Sequence, residues 1–269
     1  MRLRPSPFTK RNFFHARKMY RQGMSLGSVL MWPIRSRAGR PSVFTLRQGT
    51  SFLTPPDINF QLLWREVWVE EVYAQAGIHI APEATVVDIG ANIGLFSLWA
   101  ATRCERGRVI AVEPSPRMAD FLCQNAARNR KSITVLQVAC GGVGGKGVLY
   151  TPYGDEAKNT LDARDSSIPV RALADVEIIT LKELFNRSNI EKCNLLKVDC
   201  EGSEYDILLK SPVEVLDKVQ QIALEYHPGF NESDTPGRLE GFLKDRGFQV
   251  CCQPLGTPGY GYIYARKLS

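Results

Sequence analysis

No stretch of this 269-residue sequence approaches the roughly 20 uninterrupted apolar residues that a membrane-spanning helix needs. The longest candidate, Met24 to Ile34, is short and is broken by Ser25, Gly27, Ser28 and Pro33. Histidine is scarce: His15, His79 and His227 are the three. The seven cysteines (Cys104, Cys123, Cys140, Cys193, Cys200, Cys251 and Cys252) contain no CxxC pair and no Cys/His metal spacing. Their count is odd and most lie in apolar runs, so they read as small buried hydrophobes in a reduced compartment, and a cytoplasmic location is expected. An internal repeat is also missing. What remains is the composition of an ordinary globular protein, long enough for one large domain with an extension.

Acidic residues are missing from the first part of the chain. Residues 1–56 hold 11 of the 34 Lys and Arg and no acid, which leaves 23 basic residues against all 28 acids in residues 57–269. The chain therefore reads as a basic N-terminal extension (1–56) on a mildly acidic body. Phe13, Ala16, Tyr20 and Met24 recur at helical spacing, while Lys10, Arg11, Arg17, Lys18 and Arg21 fall largely elsewhere, which predicts a basic amphipathic helix. Residues 1–40 would suit an anionic membrane surface, making the protein membrane-peripheral, or a nucleic acid. An Arg-rich targeting peptide and a helix docked on the acidic body are the other readings, with a loosely solvated extension as the bland one. No RNA- or DNA-binding motif favours nucleic acid.

After Pro55-Pro56, FQLLWREVWVEEVYAQAG (60–77) predicts one amphipathic helix ended by Gly77, within a helical lead-in spanning 57–84. From there strands and helices alternate through 85–269. Strands fit Thr85–Ile89, Arg108–Glu113, Ile133–Val138, Asn194–Asp199, Gln220–Tyr226, Phe248–Gln253 and Tyr260–Arg266. Helices fit Leu95–Arg103, Pro116–Asn129, Leu181–Phe185, Glu204–Leu209 and Thr235–Arg246. This period predicts βαβ units and a mostly parallel sheet with helices on both faces. The link LGTPGYG between the last two strands is too short for a crossover helix, so those strands should pair antiparallel. Residues 150–178 are polar and turn-rich and read as a loop over the site.

The segment VVDIGANIG (86–94) places Asp88 at the end of an apolar strand, followed by a turn between Gly90 and Gly94. In an open α/β sheet, ligands bind outside the carboxyl ends of the strands. Glycine there lets the backbone approach a ligand where a Cβ would clash. The dinucleotide fingerprint GxGxxG would need glycine at Asn92 and Leu95, so a pyrophosphate cradle is a weak reading and a nicotinamide oxidoreductase loses ground with it. A cationic ligand suits Asp88 better. The next strand gives VIAVEPSP, with Glu113 positioned to accept the two hydroxyls of a ribose. A turn cap or an exposed strand-end charge would explain either acid alone. Two acids at adjacent strand ends favour a nucleoside with a cationic tail, and S-adenosylmethionine has a ribose, an ammonium and a sulfonium.

DIGANIG, then VEPSPRMADFLCQNAARN, then TLKELF…LLKVDCEGSEYDILLKS…IALEYHPG resemble the FkbM-type S-adenosylmethionine-dependent methyltransferases over roughly residues 85–229. The resemblance implies an α/β class I methyltransferase (Rossmann-like) sheet of seven strands, order 3-2-1-4-5-7-6 with strand 7 antiparallel. It implies cofactor contacts from Asp88, Gly90, Ala91, Asn92 and Gly94 after strand one. Glu113, Pro114 and Ser115 follow strand two, Val138 and Ala139 strand three, and Asp199 strand four. It also implies O-methylation of a hydroxyl on a sugar or a polyketide-like natural product. Lys182, in TLKELF, stands where the family commonly has an acid.

Methyl transfer to an alcohol must align the acceptor and remove a proton as the bond forms. Alternation puts Lys197, Asp199 and Glu201 on one side of an extended segment. His227 is the one histidine at a ligand-binding strand end, and a neutral imidazole with an ordinary pKa of about 6.5 suits a base near neutral pH. The expected roles are His227 as base, Glu201 orienting the acceptor and Asp199 shared with the cofactor. The plainer readings are a loop histidine before Pro228, a helix cap for Glu201 and cofactor orientation for Asp199. Asn159 and Thr160 are weaker candidates for acceptor contacts. A divalent metal on Asp199, Glu201 and Glu225 ranks below direct acid–base work, because carboxylates alone set no diagnostic spacing. The rival classes are a methyltransferase acting on nucleic acid or a lipid-linked substrate through the arm, and a non-catalytic protein that keeps the fold as a tether.

Overall fold

The computed structural model describes residues 20–21, 23–29, 40–152, 159–161 and 170–267. The apolar strand Thr85–Ile89 (β3) is buried on both faces, because alternate side chains feed two separate cores: Val86 packs on one side, Val87 and Ile89 on the other. It pairs in parallel with Arg108–Val112 (β4) and Leu195–Val198 (β9). Ile133–Leu136 (β5) extends one end of this sheet, and Gln221–Tyr226 (β10), Gly261–Lys267 (β12) and Phe248–Pro254 (β11) extend the other. The order β11-β12-β10-β9-β3-β4-β5 is the predicted seven-strand topology, with β12 antiparallel to both neighbours.

Helices cover both faces. Leu95–Ala101 (α2) and Pro116–Arg128 (α3) join β3, β4 and β5; Leu181–Arg187 (α4), Glu204–Leu209 (α5), Val213–Leu216 (α6) and Pro236–Lys244 (α7) follow. Local chemistry starts several of them. Ser115 caps α3 ahead of Pro116, and Thr180 with Glu183 forms a capping box on α4.

Two expectations fail. Residues 60–77 are not one helix: Phe60–Trp64 (α1) widens into a π-turn at Arg65–Val69, and Glu71 is left-handed at φ 48 before a short 3₁₀ turn, Val72–Ala74. Tertiary contacts override the helical periodicity. The Trp68 indole donates to the carbonyl of Leu95, and the break re-aims Tyr73 toward the end of the sheet. Of residues 150–178, expected as a loop, the described ones at either end are strand, and the middle, apart from residues 159–161, lies outside the described residues. Gly145–Pro152 (β7) and Val170–Ile179 (β8) form an antiparallel ribbon, which Ala139–Cys140 (β6) joins as a three-stranded sheet. The polar outward face of β8 hid its alternation. Among the cysteines, Cys104, Cys140 and Cys193 are buried, whereas Cys123 and Cys251 are exposed, contrary to expectation.

Upstream, Ser42–Thr45 (β1) and Ser51–Thr54 (β2) form a hairpin laid on α3. Two side-chain amides complete its edge. Asn125 accepts from Leu53 N and donates to Leu53 O; Asn129 does the same for Ser51. Four residues of helix rise about 6 Å and two residues of strand about 6.6 Å, so the i,i+4 amides match alternate strand residues. Met24, Val29, Phe44 and Phe52 are buried in the same core as Trp64 and Trp99. Most of the predicted arm helix lies outside the described residues.

Candidate active site

A cavity of about 320 Å³ opens where β3, β4, β9 and β10 end, the place predicted for the ligand. Its floor is the turn Gly90–Ile93. Gly90 has φ 75, and a Cβ there would run into the carbonyl oxygen of Asp199, so no other residue fits between the two strand ends. Asn92 is left-handed, its side-chain oxygen accepts from Ile93 N, and its N–H donates to Glu113 at 2.8 Å.

Glu113, one residue beyond β4, also accepts from Ser115 N at 2.9 Å. Burial pushes its pKa up to about 7 against the pull of the Ser115 and Asn92 N–H groups. Each oxygen has accepted one bond and keeps capacity for another, as ribose hydroxyls require. Ala91, Pro114 and Ala139 line the same wall; Gly94, Ser115 and Val138 do not.

Asp88 is a correction. It is fully buried and does not face the cavity. The register sets it directly opposite Lys197 of β9, whose ammonium lies 3.1 Å from one carboxylate oxygen, while Ser97 donates to the other at 2.6 Å. The carboxylate predicted to meet a cationic ligand balances a buried lysine instead. Burial disfavours the Lys197 charge, but Asp88 and Asp199 outweigh it and hold the ammonium above its ordinary pKa. Lys197 also donates to the carbonyl of Gly90 at 2.9 Å, tying the floor to β9.

The other end of the cavity is acidic. Asp199, Glu201, Glu225 and His227 all line it, as predicted, and so do Lys197 and the unpredicted Tyr73 and Glu66. Tyr73 donates to Asp199 at 2.9 Å and reaches Glu225 at 3.2 Å. Burial and those two carboxylates raise its pKa, so it stays a neutral donor. Asp199, despite burial, is held below the usual carboxylate range by Lys197, His227 and Tyr73. Burial and Asp199 push Glu225 up to about 8.

His227 is not the neutral imidazole expected. Burial alone would neutralise it, but Glu204, Glu201 and Asp199 outweigh burial and push its pKa up to about 11. Its Nδ1 lies 3.0 Å from Glu204, and its Nε2 lies 3.5 Å from Glu201 and 3.9 Å from Asp199 and Glu225. An imidazolium has no lone pair with which to take a proton. Nor does Glu201 cap α5. No side chain caps that helix, and the fully buried Glu204, its first residue, accepts instead from Cys200 N and Gly202 N of the preceding turn. Asn159 lines the cavity and its side-chain oxygen is buried without a hydrogen-bond partner; Thr160 stands back, bonded to the carbonyl of Glu201. Tyr73, Glu66 and Glu204 escaped sequence reading because two lie upstream of the first core strand and the third is inside a helix.

For the metal reading, Asp199, Glu204 and His227 offer ligand atoms within 4.8 Å of one another. Glu204 is already engaged by His227 and two backbone N–H groups, which disfavours that set.

The sheet order defines a class I methyltransferase fold. The profile of the methyltransferase FkbM domain matches residues 88–250, and the chain belongs to that family. The chain is 27% identical over 228 residues to the methyltransferase sdnD of Sordaria araneosa, covering 74% of this chain and 86% of that one. It is 28% identical over 221 residues to the 31-O-demethyl-FK506 methyltransferase FkbM of Streptomyces tacrolimicus, covering 72% and 83%. With the AMB antimetabolite synthetase AmbE of Pseudomonas aeruginosa it shares 30% identity over 226 residues, which span 71% of this chain and 11% of that much longer protein.

Proposed function

We propose that this protein methylates a hydroxyl oxygen of a small molecule, a sugar or a polyketide-like natural product. The observation that carries the reading is the group of proton-handling side chains, Tyr73, Asp199, Glu201, Glu225 and His227, beside the nucleoside wall. The similarity to a methyltransferase named for a 31-O-demethyl compound supports oxygen as the acceptor atom.

Bound S-adenosylmethionine supplies an electrophilic methyl carbon. Glu113 binds the ribose, and Asp199, which stays ionised, is shared with the cofactor's cationic end. The floor at Gly90 lies against the end of β9, and Glu201, Glu225 and His227 on the same side of the cavity would face the acceptor. Glu225 is the group best matched to take the hydroxyl proton, since a base works best with a pKa near the working pH. His227, as a cation, donates from Nε2 to the acceptor oxygen and favours its deprotonation, and Glu201 orients the acceptor. Above a pH of about 8, where Glu113 and Glu225 are ionised, the cavity wall carries Glu66, Glu113, Asp199, Glu201 and Glu225 against Lys197 and His227, an excess of negative charge that disfavours anionic acceptors.

The test is transfer of labelled methyl from S-adenosylmethionine to a panel of neutral sugars and polyketide alcohols, with amines and RNA as other arms. Activity confined to alcohols is expected, with kcat/KM falling as pH drops below about 8, because protonated Glu225 cannot act as a base. Glu225→Gln should lower turnover roughly 10²–10⁴-fold with cofactor affinity kept. Full activity in that variant passes the role to Glu201. Loss of activity in EDTA with recovery in Mg²⁺ replaces this reading by metal assistance, and transfer to amines or RNA alone overturns the acceptor class.

A further inference from the structure

Glu204 is buried completely, touches neither nucleoside wall nor cavity, and yet holds two of the groups that face the acceptor. One oxygen meets His227 Nδ1 at 3.0 Å and accepts from Cys200 N at 2.7 Å; the other accepts from Gly202 N at 2.9 Å. Between those two N–H groups stands Glu201, whose backbone is left-handed at φ 49. A side chain other than glycine in that region is strained and persists only where surrounding bonds over-determine it. Here the clamp on either side is a single carboxylate.

We propose that Glu204 is the positioning residue of the acceptor site: it orients the His227 ring so that Nε2–H points into the cavity, and it clamps the turn that presents Glu201. The ring orientation follows from the donor inventory. A carboxylate accepts only, so Nδ1 must carry hydrogen, and the remaining nitrogen faces Glu201, Asp199 and Glu225. Tyr260, edge-on to the ring at 5.5 Å between centroids, closes its remaining flank. The charged and titratable groups around the imidazole are therefore Glu204 from α5, Asp199 and Glu201 after β9, and Glu225 from β10, with Tyr260 ahead of β12. Glu204 is the one among them held away from the cavity, so a bound acceptor leaves its grip unchanged. Because both grips come from one side chain, the orientation of the cation and the position of Glu201 are coupled.

This inference rests on the reading of His227 as an acceptor-facing cation, so its test includes a readout that needs no acceptor. In the full chain, ¹⁵N-resolved NMR of the His227 ring should show both nitrogens protonated at pH 8. In Glu204→Gln the titration midpoint should fall by about one to two pH units, the loss of one charged hydrogen bond. Cofactor affinity by calorimetry should stay within about threefold, while turnover on the acceptor found above drops roughly 10–100-fold through misplacement. Glu204→Asp, shorter but charged, should restore part of the ring protonation where Gln does not. A wild-type His227 that titrates near pH 6.5 overturns the proposal without any variant. An unchanged midpoint and unchanged turnover in a folded Glu204→Gln overturn it as well. Failure to find an alcohol acceptor removes the proposed reaction but leaves the NMR result standing.

Discussion

Two acids that look equivalent in sequence, Asp88 and Glu113, do different work because one lies inside its strand and the other just beyond it. Within β3, Asp88 is directed by the pleat away from the cavity, and its cross-strand neighbour Lys197 meets it there. Glu113 follows the last paired residue of β4, where the chain has turned to face the ligand. Separate consequences follow for binding and for stability. Glu113→Ala removes charge-assisted bonds worth about 1.5–3 kcal/mol each, so S-adenosylmethionine affinity should fall at least tenfold by calorimetry while the melting temperature holds. Wild-type affinity should also weaken as pH falls through about 7, since the protonated carboxyl accepts poorly. Asp88→Asn should do the reverse. It leaves Lys197 under-compensated in the interior, a loss of about 3–5 kcal/mol in unfolding experiments, with cofactor affinity affected far less. If Asp88→Asn instead abolishes binding in a stable protein, the carboxylate reaches the ligand after all.

At the scale of elements, the hairpin β1–β2 is held by amides rather than by a third strand. Asn125 is fully buried and satisfies Leu53 in both directions, with Ile93 O as a further acceptor. Asn125→Leu keeps the volume but strands a buried backbone N–H and two carbonyls. Each costs about 1–3 kcal/mol, so the variant should lose roughly 3–9 kcal/mol, and amide exchange at Leu53 should quicken beyond the global change. Uniform exchange across the chain would mean that the hairpin and the sheet unfold as one unit. In the lead-in, the break at Glu71 interrupts the predicted helix, and Leu62, Leu63 and Glu66 before it and Tyr73 after it all line the cavity. Helical periodicity in residues 60–77 was legible; the break was not, because it is stabilised by Asp199 and Leu95, which are distant in sequence.

For the whole molecule, the basic arm and the acidic body meet inside the core rather than at a linker, since Met24 and Val29 pack with Phe44 and Trp99. Truncations should therefore separate two effects. Removing residues 1–19 takes away 6 of the 11 basic residues of the arm, and should weaken low-salt binding to anionic vesicles or nucleic acid if the arm is adhesive. Removing residues 1–40 also takes Met24 and Val29, each worth about 1.5–3 kcal/mol of burial, and should lower the melting temperature by roughly 10 °C. Equal vesicle and nucleic-acid binding by wild type and the shorter truncation at 20 mM salt would remove the arm from consideration as an adhesive element.

The alternation of apolar strands with helices, the short link before the last strand and the acids at strand ends were enough to determine a mostly parallel sheet with an antiparallel last strand and the end of the sheet that carries the cavity; the strand order came from the resemblance to the FkbM-type methyltransferases. Those patterns are local, and the handedness and crossover rules narrow the topologies they allow. Spacing could not decide which acids face the ligand. Asp88 and Lys197, 109 positions apart, become neighbours only through the β3–β9 register, and His227 is held as a cation by Glu204, which α5 delivers to its far nitrogen, together with Glu201 and Asp199. The ionisation state of a buried group is set by the charges within a few ångströms, and in this chain those charges come from β9, α5 and β10, brought together only when the sheet closes.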